Sequence, residues 1–376
     1  MRVAIFGGGG FIGGAVAALL HDRGHETVVL DRFDAQVHGT SYERSPLYQS
    51  VSEVAEVRVG TILDRDAVRE VLSGADVVVN LVAETGTGQS MYEVYRYSET
   101  NILGTAILLE EIAAMAEKPQ RLVVASSRAI YGEGAYRCPS KGLFYPEGRS
   151  PQDLAAGVFG IRCPSGDTFA EVAPTPESAP LRPKSIYAAN KLTQEQYTHI
   201  LGKSMAIPTI ALRYQNVYGP GQALRNPYTG LLGVFVNRIR ACEPLVLFED
   251  GNTARDFVYI DDVAEATYRS IVHEAPGQLS INVGSGVATT VREVADMLVA
   301  FAPGEAEVTI SGKSRAGDIR ACCADVSLAG EVLGFEARTP FASGIEVYLR
   351  WAFSQPAAED KFEESMREMK EKGLYN

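Results

Sequence analysis

Arg2-Val3-Ala4-Ile5-Phe6-Gly7-Gly8-Gly9-Gly10-Phe11-Ile12-Gly13-Gly14 carries the chain from an apolar run of buried-strand length into a glycine turn. Phe11 to Arg23 then has helical spacing with small residues, Gly24 stops it, and Glu26 to Leu30 is apolar and β-branched again, which is a βαβ unit. Gly7, Gly10 and Gly13 form GxxGxxG between strand and helix. That spacing gives a tight turn, lets backbone N–H groups approach a pyrophosphate at the helix N-terminus, and packs the helix closely on the strand. Asp31 ends the second strand, where a carboxylate accepts hydrogen bonds from adenosine ribose hydroxyls and repels a 2′-phosphate, so NAD is expected over NADP. Arg32 beside it tempers that repulsion.

The alternation continues outward. Strand signals at Val54 to Val59, Asp76 to Leu81 and Arg121 to Ala125 alternate with helical ones at Arg65 to Leu72 and from about Tyr97 to Ala116. This predicts an α/β fold: a Rossmann-type doubly wound parallel sheet with a smaller C-terminal mixed α/β lobe. Residues 133 to 183 are rich in Pro, Gly, Ser and Arg with little periodicity, and read as a surface excursion that covers a substrate. Helical spacing returns at Ser185 to Lys203, with a strand at Thr209 to Tyr214. Later elements are shorter: a strand near Leu245, helices at Asp261 to His273 and Val291 to Phe301, and a strand at Glu307 to Ile310. The expected division is a dinucleotide domain over 1–215, a substrate lobe mainly over 216–355 with segments returning to the first domain, and a charged helix over 356–376 with Phe362, Met366 and Met369 on one face.

Composition narrows the function. The chain has 376 residues, 22% charged, with net charge −12, and lacks the basic cluster that nucleic-acid binding needs. The five scattered cysteines do not form a disulfide framework, and no apolar run is long enough to span a membrane, so a cytoplasmic setting is expected. Cys138 and Cys163 alone cannot close a tetrahedral metal site, so no metal is expected.

Tyr187-Ala188-Ala189-Asn190-Lys191 opens a helix and sets Tyr187 and Lys191 one turn apart on one face. An ammonium there favours the phenolate and turns a weak base into a useful one. The strand Leu122 to Ala125 ends at Ser126-Ser127. Ligands bind at the carboxyl ends of such strands, so the Ser127 hydroxyl can meet Tyr187 across a substrate. Ser126 is read as satisfying backbone groups.

In combination, GxxGxxG, Asp31, Ser-Ser before Tyr131-Gly132, YxxxK, Arg213 to Pro220 and Arg255-Asp256-Phe257-Val258 resemble the extended short-chain dehydrogenase/reductases that act on nucleotide sugars. Gly88 to Tyr92, Arg137-Cys138-Pro139, Arg162-Cys163-Pro164 and Asn226 to Gly230 resemble the dTDP-L-rhamnose 4-epimerase subgroup, with UDP-glucose 4-epimerases close by. The resemblance implies a cofactor set of Gly7, Gly10, Phe11, Ile12, Gly13, Asp31, Arg32, Leu81, Ala83, Asn101, Tyr187 and Lys191. It implies Ser127, Tyr187 and Lys191 as catalytic. Ser127, Asn216, Phe248, Arg255, Arg315, Asp318 and Cys322 would bind the nucleotide sugar, a small Cys322 opening the sugar pocket. It also implies a homodimer through the helices near Asn101 and Tyr187.

Two departures refine this. Dehydratases of the family carry Asp-Glu after the catalytic hydroxyl residue; Arg128-Ala129 stands there, which leaves redox at one carbon. Gln215 replaces an aromatic residue between Tyr214 and Asn216. The reading is an NAD-dependent 4-epimerase of a dTDP- or UDP-hexose working through a 4-keto intermediate. The rivals are an NAD(P)H-dependent 4-ketosugar reductase and a non-catalytic dinucleotide-binding protein.

Overall fold

Val3 to Phe6, Val77 to Val79 and Leu122 to Val124 are all at most 3% exposed, because each strand is covered on both faces and must be apolar throughout. The computed structural model describes all residues except 167, 225–229, 275, 303–305, 315–317, 357–366, 369 and 373–376. Its main sheet contains β1 (Arg2–Phe6), β2 (Glu26–Asp31), β3 (Glu56–Val59), β4 (Val77–Asn80) and β5 (Arg121–Ser127), joined by strands Thr209–Tyr214 and Gln278–Val283. The seven strands are parallel, in the order Gln278–Val283, Thr209–Tyr214, β5, β4, β1, β2, β3. Their carboxyl ends share one edge, and the register pairs Ser127 with Tyr214. A second apolar core, centred on Leu232, Phe235, Leu247, Phe257, Leu298 and Tyr348, lies in the later part of the chain.

Local differences from the sequence reading have physical causes. Val54 closes a helix, Pro46–Val54, started by Pro at its first position, so β3 begins only at Glu56. The long helix expected near 97–116 is broken into Val94–Ser98, a π-helical turn Glu99–Leu103, and Gly104–Ala114. A Cβ on Gly104 would fall 2.4 Å from Ile62, so close packing on the loop that follows β3 sets the last piece. Gln278–Val283 was not read as a strand; its alternation of Gln, Ser and Asn with Leu, Ile and Val is that of an edge strand whose polar side chains find partners, as Asn282 does with Tyr131 and Thr175.

Residues 133 to 183 contain a three-stranded antiparallel sheet, Gly142–Phe144, Ala135–Cys138 and Glu171–Ala173, too short to leave a readable period. This segment is fastened to the later lobe. Gly134 N donates to Ala321 O at 2.9 Å, Thr175 N to Cys323 O at 2.8 Å, and Glu133 accepts from Ala321 N at 2.9 Å. Arg149 and Glu249 form a buried ion pair at 2.5 Å, and Arg149 Nη2 donates to Asp318 O at 2.7 Å. The expected helix over 356–376, with Phe362, Met366 and Met369, lies mostly outside the described residues.

Candidate active site

The glycine turn is shaped for a phosphate group. Gly7 has φ +83°, and a Cβ there would lie 2.8 Å from Val82 N. A Cβ on Gly13 would lie 2.5 Å from both Gly7 O and Gly8 Cα, so only glycine lets helix α1 (Phe11–Asp22) sit on the turn. At Gly10, the N-cap, the nearest atom to an added Cβ is 3.5 Å away, so glycine there keeps a helix N-terminus open toward an anion.

The turn lies at one end of a cavity of about 650 Å³ along the carboxyl edge of the sheet. Gly7, Gly10, Phe11, Ile12, Gly13, Asp31, Arg32, Leu81 and Ala83 all line it. Burial raises the Asp31 pKa, while amide hydrogen bonds from Phe33 (2.8 Å) and Gly9 (2.9 Å) hold it back. Each carboxylate oxygen keeps a lone pair for a further donor. Arg32 is engaged by Asp34 at 2.9 Å and by Glu84, so its charge is already matched by carboxylates. Gln36, Val37, His38, Thr61, Ile62 and Arg96 complete this end; the sequence reading missed them because they come from short helices and loops without a motif.

Ser127, Arg128, Ala129 and Tyr187 line the middle of the cavity. Ser185 caps the helix Ile186–Ser204, and Ser90 Oγ accepts from Tyr187 N at 3.1 Å, fixing where that helix starts. Burial raises the Tyr187 pKa, opposed by its hydrogen bond with Ser127 and the charge of Arg128. Lys191 is 3% exposed and donates to Ala125 O at 2.9 Å; burial pushes its pKa down to about 7. Lys191 is not among the residues that line the cavity.

Farther along lie Asn216, Phe248, Arg255 and Asp318. Asn216 Oδ1 accepts from Arg128 Nε at 2.7 Å. Arg255 is anchored on the carbonyls of Ala254 and Ile319, and burial together with the like charge of Arg128 lowers its pKa to about 10. Neither Arg128 nor Arg255 has a carboxylate within ion-pair distance among the described residues. Arg128 entered the sequence reading only as a missing acid; its place in this wall was not legible from the motif.

Three expectations need correction. Asn101 does not line the cavity; it is fully buried, its amide clamping the Glu84 backbone at 2.7 and 3.1 Å, so it supports the cavity wall. Cys322 is sealed among Ile130, Tyr131, Ala179 and Ile319 and opens no sugar pocket. No described residue of 133–183 lines the cavity; the segment is held instead by its hydrogen bonds to Ala321 and Cys323. Arg315 lies outside the described residues. Cys138 and Cys163 share a hydrogen bond, which with Ser140 pulls the Cys138 pKa down to about 7; no group of three or more possible metal ligands occurs among the described residues.

Residues 3–147 and 160–284 match the NAD dependent epimerase/dehydratase family. The chain belongs to this family. NAD is accordingly its cofactor, and the open Gly10 cradle with Asp31 beyond it fits that group. The chain is 34% identical over 352 residues to the dTDP-L-rhamnose 4-epimerase of Burkholderia thailandensis, covering 93% of this chain and 94% of that protein. It is similar in structure to the UDP-glucose 4-epimerase of Thermotoga maritima solved with UDP-glucose, at TM-score 0.75 and 25% identity, covering 94% and 99% of the two chains. The UDP-glucose 4-epimerase of Thermus thermophilus solved with NAD aligns at TM-score 0.73 and 27% identity, covering 95% and 100%. No helix among the described residues is long and apolar enough to cross a membrane.

Proposed function

We propose that this family member is a nucleotide-sugar epimerase, an isomerase, inverting C4 of a dTDP- or UDP-hexose. The observation that carries the choice within the family is local: Tyr187 shares a hydrogen bond with Ser127, and the two positions after Ser127, both on the cavity wall, are Arg128 and Ala129. Without an acid–base pair there, removing a proton at C5 and expelling a C6 oxygen has no agent, and proton movement is confined to one hydroxyl.

NAD, held by the Gly10 cradle and Asp31, would supply the hydride acceptor and donor. Tyr187 as phenolate takes the 4-hydroxyl proton while the C4 hydrogen leaves as hydride, so the sugar becomes a 4-ketone. Ser127 donates to the carbonyl oxygen, and Lys191 positions the cofactor ribose and favours the phenolate. Arg128 and Arg255, like-charged and with no carboxylate in ion-pair distance among the described residues, hold the pyrophosphate, as Arg315 and Asn216 do by the family resemblance. Phe248 offers a face to the base, and Asp318 takes the nucleotide ribose. With the pyrophosphate anchored, the ketone would be free to turn before reduction on its other face, and Tyr187 would give the proton back, so no atom or electron would be gained.

The test is turnover by gel-filtered protein with no added cofactor. About one NAD per chain released on denaturation, together with conversion of a dTDP- or UDP-hexose, supports the reading. Turnover that starts only when NAD(P)H and a 4-keto sugar are supplied overturns it.

A further inference from the structure

Gln215 is a buried amide for which the preceding account has no use. It follows strand Thr209–Tyr214, its backbone N–H donates to Val283 O at 2.9 Å, and it is 5% exposed. Gln215 is one of the residues lining the cavity, and its Oε1 and Nε2, both buried, have no hydrogen-bond partner. Other buried amides nearby do better: Gln194 donates to Val82 O and Thr105, and Asn282 donates to Thr175 O. A buried amide with no partner costs roughly 1–3 kcal/mol, and an apolar side chain of the same volume avoids that cost. Gly284 supports the placement, because a Cβ there would come within 2.7 Å of Gln215 Cγ. The chain thus makes room for an amide that it does not satisfy.

The register locates this amide. Tyr214 is the partner of Ser127 across the two strands, so Gln215 stands one residue beyond the catalytic hydroxyl, at the reacting part of the cavity. Asn216, next along, is already engaged by Arg128. We propose that Gln215 is a binding residue for the reacting groups, its amide pairing with a neutral group that both donates and accepts: a hexose hydroxyl or the carboxamide of the nicotinamide. This deepens the epimerase reading and rests on it. A carboxamide presents two donors and one acceptor oxygen, which suits such a partner better than it suits a phosphate.

The test uses the protein as purified, with Gln215→Met, similar in length and without amide groups, and Gln215→Glu, which keeps the shape and loses the donors. NAD per chain, kcat and KM for nucleotide hexoses, inhibition by UDP or dTDP alone, and Tm are measured. Both variants are expected to bind the nucleoside diphosphates within twofold of wild type and to lose at least tenfold in kcat/KM, about 1.4 kcal/mol. Gln215→Met is expected to hold or slightly raise Tm, since the unpaired amide is gone. NAD content unchanged assigns the hydroxyl as the partner, and NAD content below half assigns the carboxamide. Variants that match wild type within twofold in both kcat/KM and NAD content overturn the proposal. If wild type shows no epimerisation, the underlying reading fails. The extra Tm shift given by a nucleotide hexose over its nucleoside diphosphate, together with NAD content, then decides Gln215: both kept in Gln215→Met overturn it, and loss of either sustains it.

Discussion

Tyr187 works against its own burial. The protein surroundings raise its pKa, and the opposing influences are Ser127 and Arg128, so the phenolate depends on neighbours. Tyr187→Phe is expected to lower kcat by roughly 10²–10⁴-fold with little change in Tm, as steady-state kinetics and thermal melts will show. Lys191 gives a stability prediction with a definite sign. Its pKa falls from 10.5 to about 7, so between those values the unfolded chain binds the extra proton and stability rises with pH; below about 7 the full penalty applies. In cofactor-stripped protein, Lys191→Met should therefore stabilise more at pH 7 than at pH 10, by at least ~1 kcal/mol in denaturant titrations. Equal effects at both pH values contradict a buried ammonium. These residues were legible in the sequence because YxxxK and the strand-end serine carry their own spacing. Arg128, Gln215 and the sealed Cys322 were not, since whether a side chain faces a cavity or a core depends on contacts between distant segments.

The βαβ element separates two uses of glycine. Gly13 is needed by the fold, and Gly13→Ala should cost about 1–3 kcal/mol because its Cβ meets backbone at 2.5 Å. Gly10→Ala meets nothing closer than 3.5 Å, so it should leave Tm nearly unchanged while lowering the NAD retained through gel filtration. That first unit was legible almost to the residue, since its strands are continuous apolar runs and its turn is all glycine. The 133–183 segment was not, because strands of three or four residues are held by partners far away in the chain. Its link through Arg149 makes an element-level prediction: Arg149→Met leaves Glu249, 1% exposed, with Arg320 at 3.4 Å as its one cation among the described residues. It should destabilise by about 3 kcal/mol and raise KM for the nucleotide sugar by freeing the Asp318 backbone.

At the scale of the whole molecule, one cavity joins a dinucleotide cradle at the sheet edge to a guanidinium-lined wall in the later lobe. The helices that flank it also present apolar groups to solvent. Tyr95, Leu103, Tyr197 and Ile200 are 43–76% exposed on Val94–Ser98, the π-turn and Ile186–Ser204, which pack on one another. We propose that two copies pair through this face, and light scattering after Ile200→Asp should read a shift toward monomer; an unchanged mass places any interface elsewhere. Parallel order was legible from alternation, whereas the return of Gln278–Val283 to the main sheet needed three-dimensional pairing. The central claim is that hydride leaves and returns to one carbon within one active site. It is tested most directly by incubating the protein with dTDP- and UDP-hexoses in deuterated water without added cofactor and reading products by NMR. The account predicts a C4 epimer with no deuterium at C4 or C5. Deuterium at C5, or no product without added NADPH and a 4-keto sugar, contradicts it.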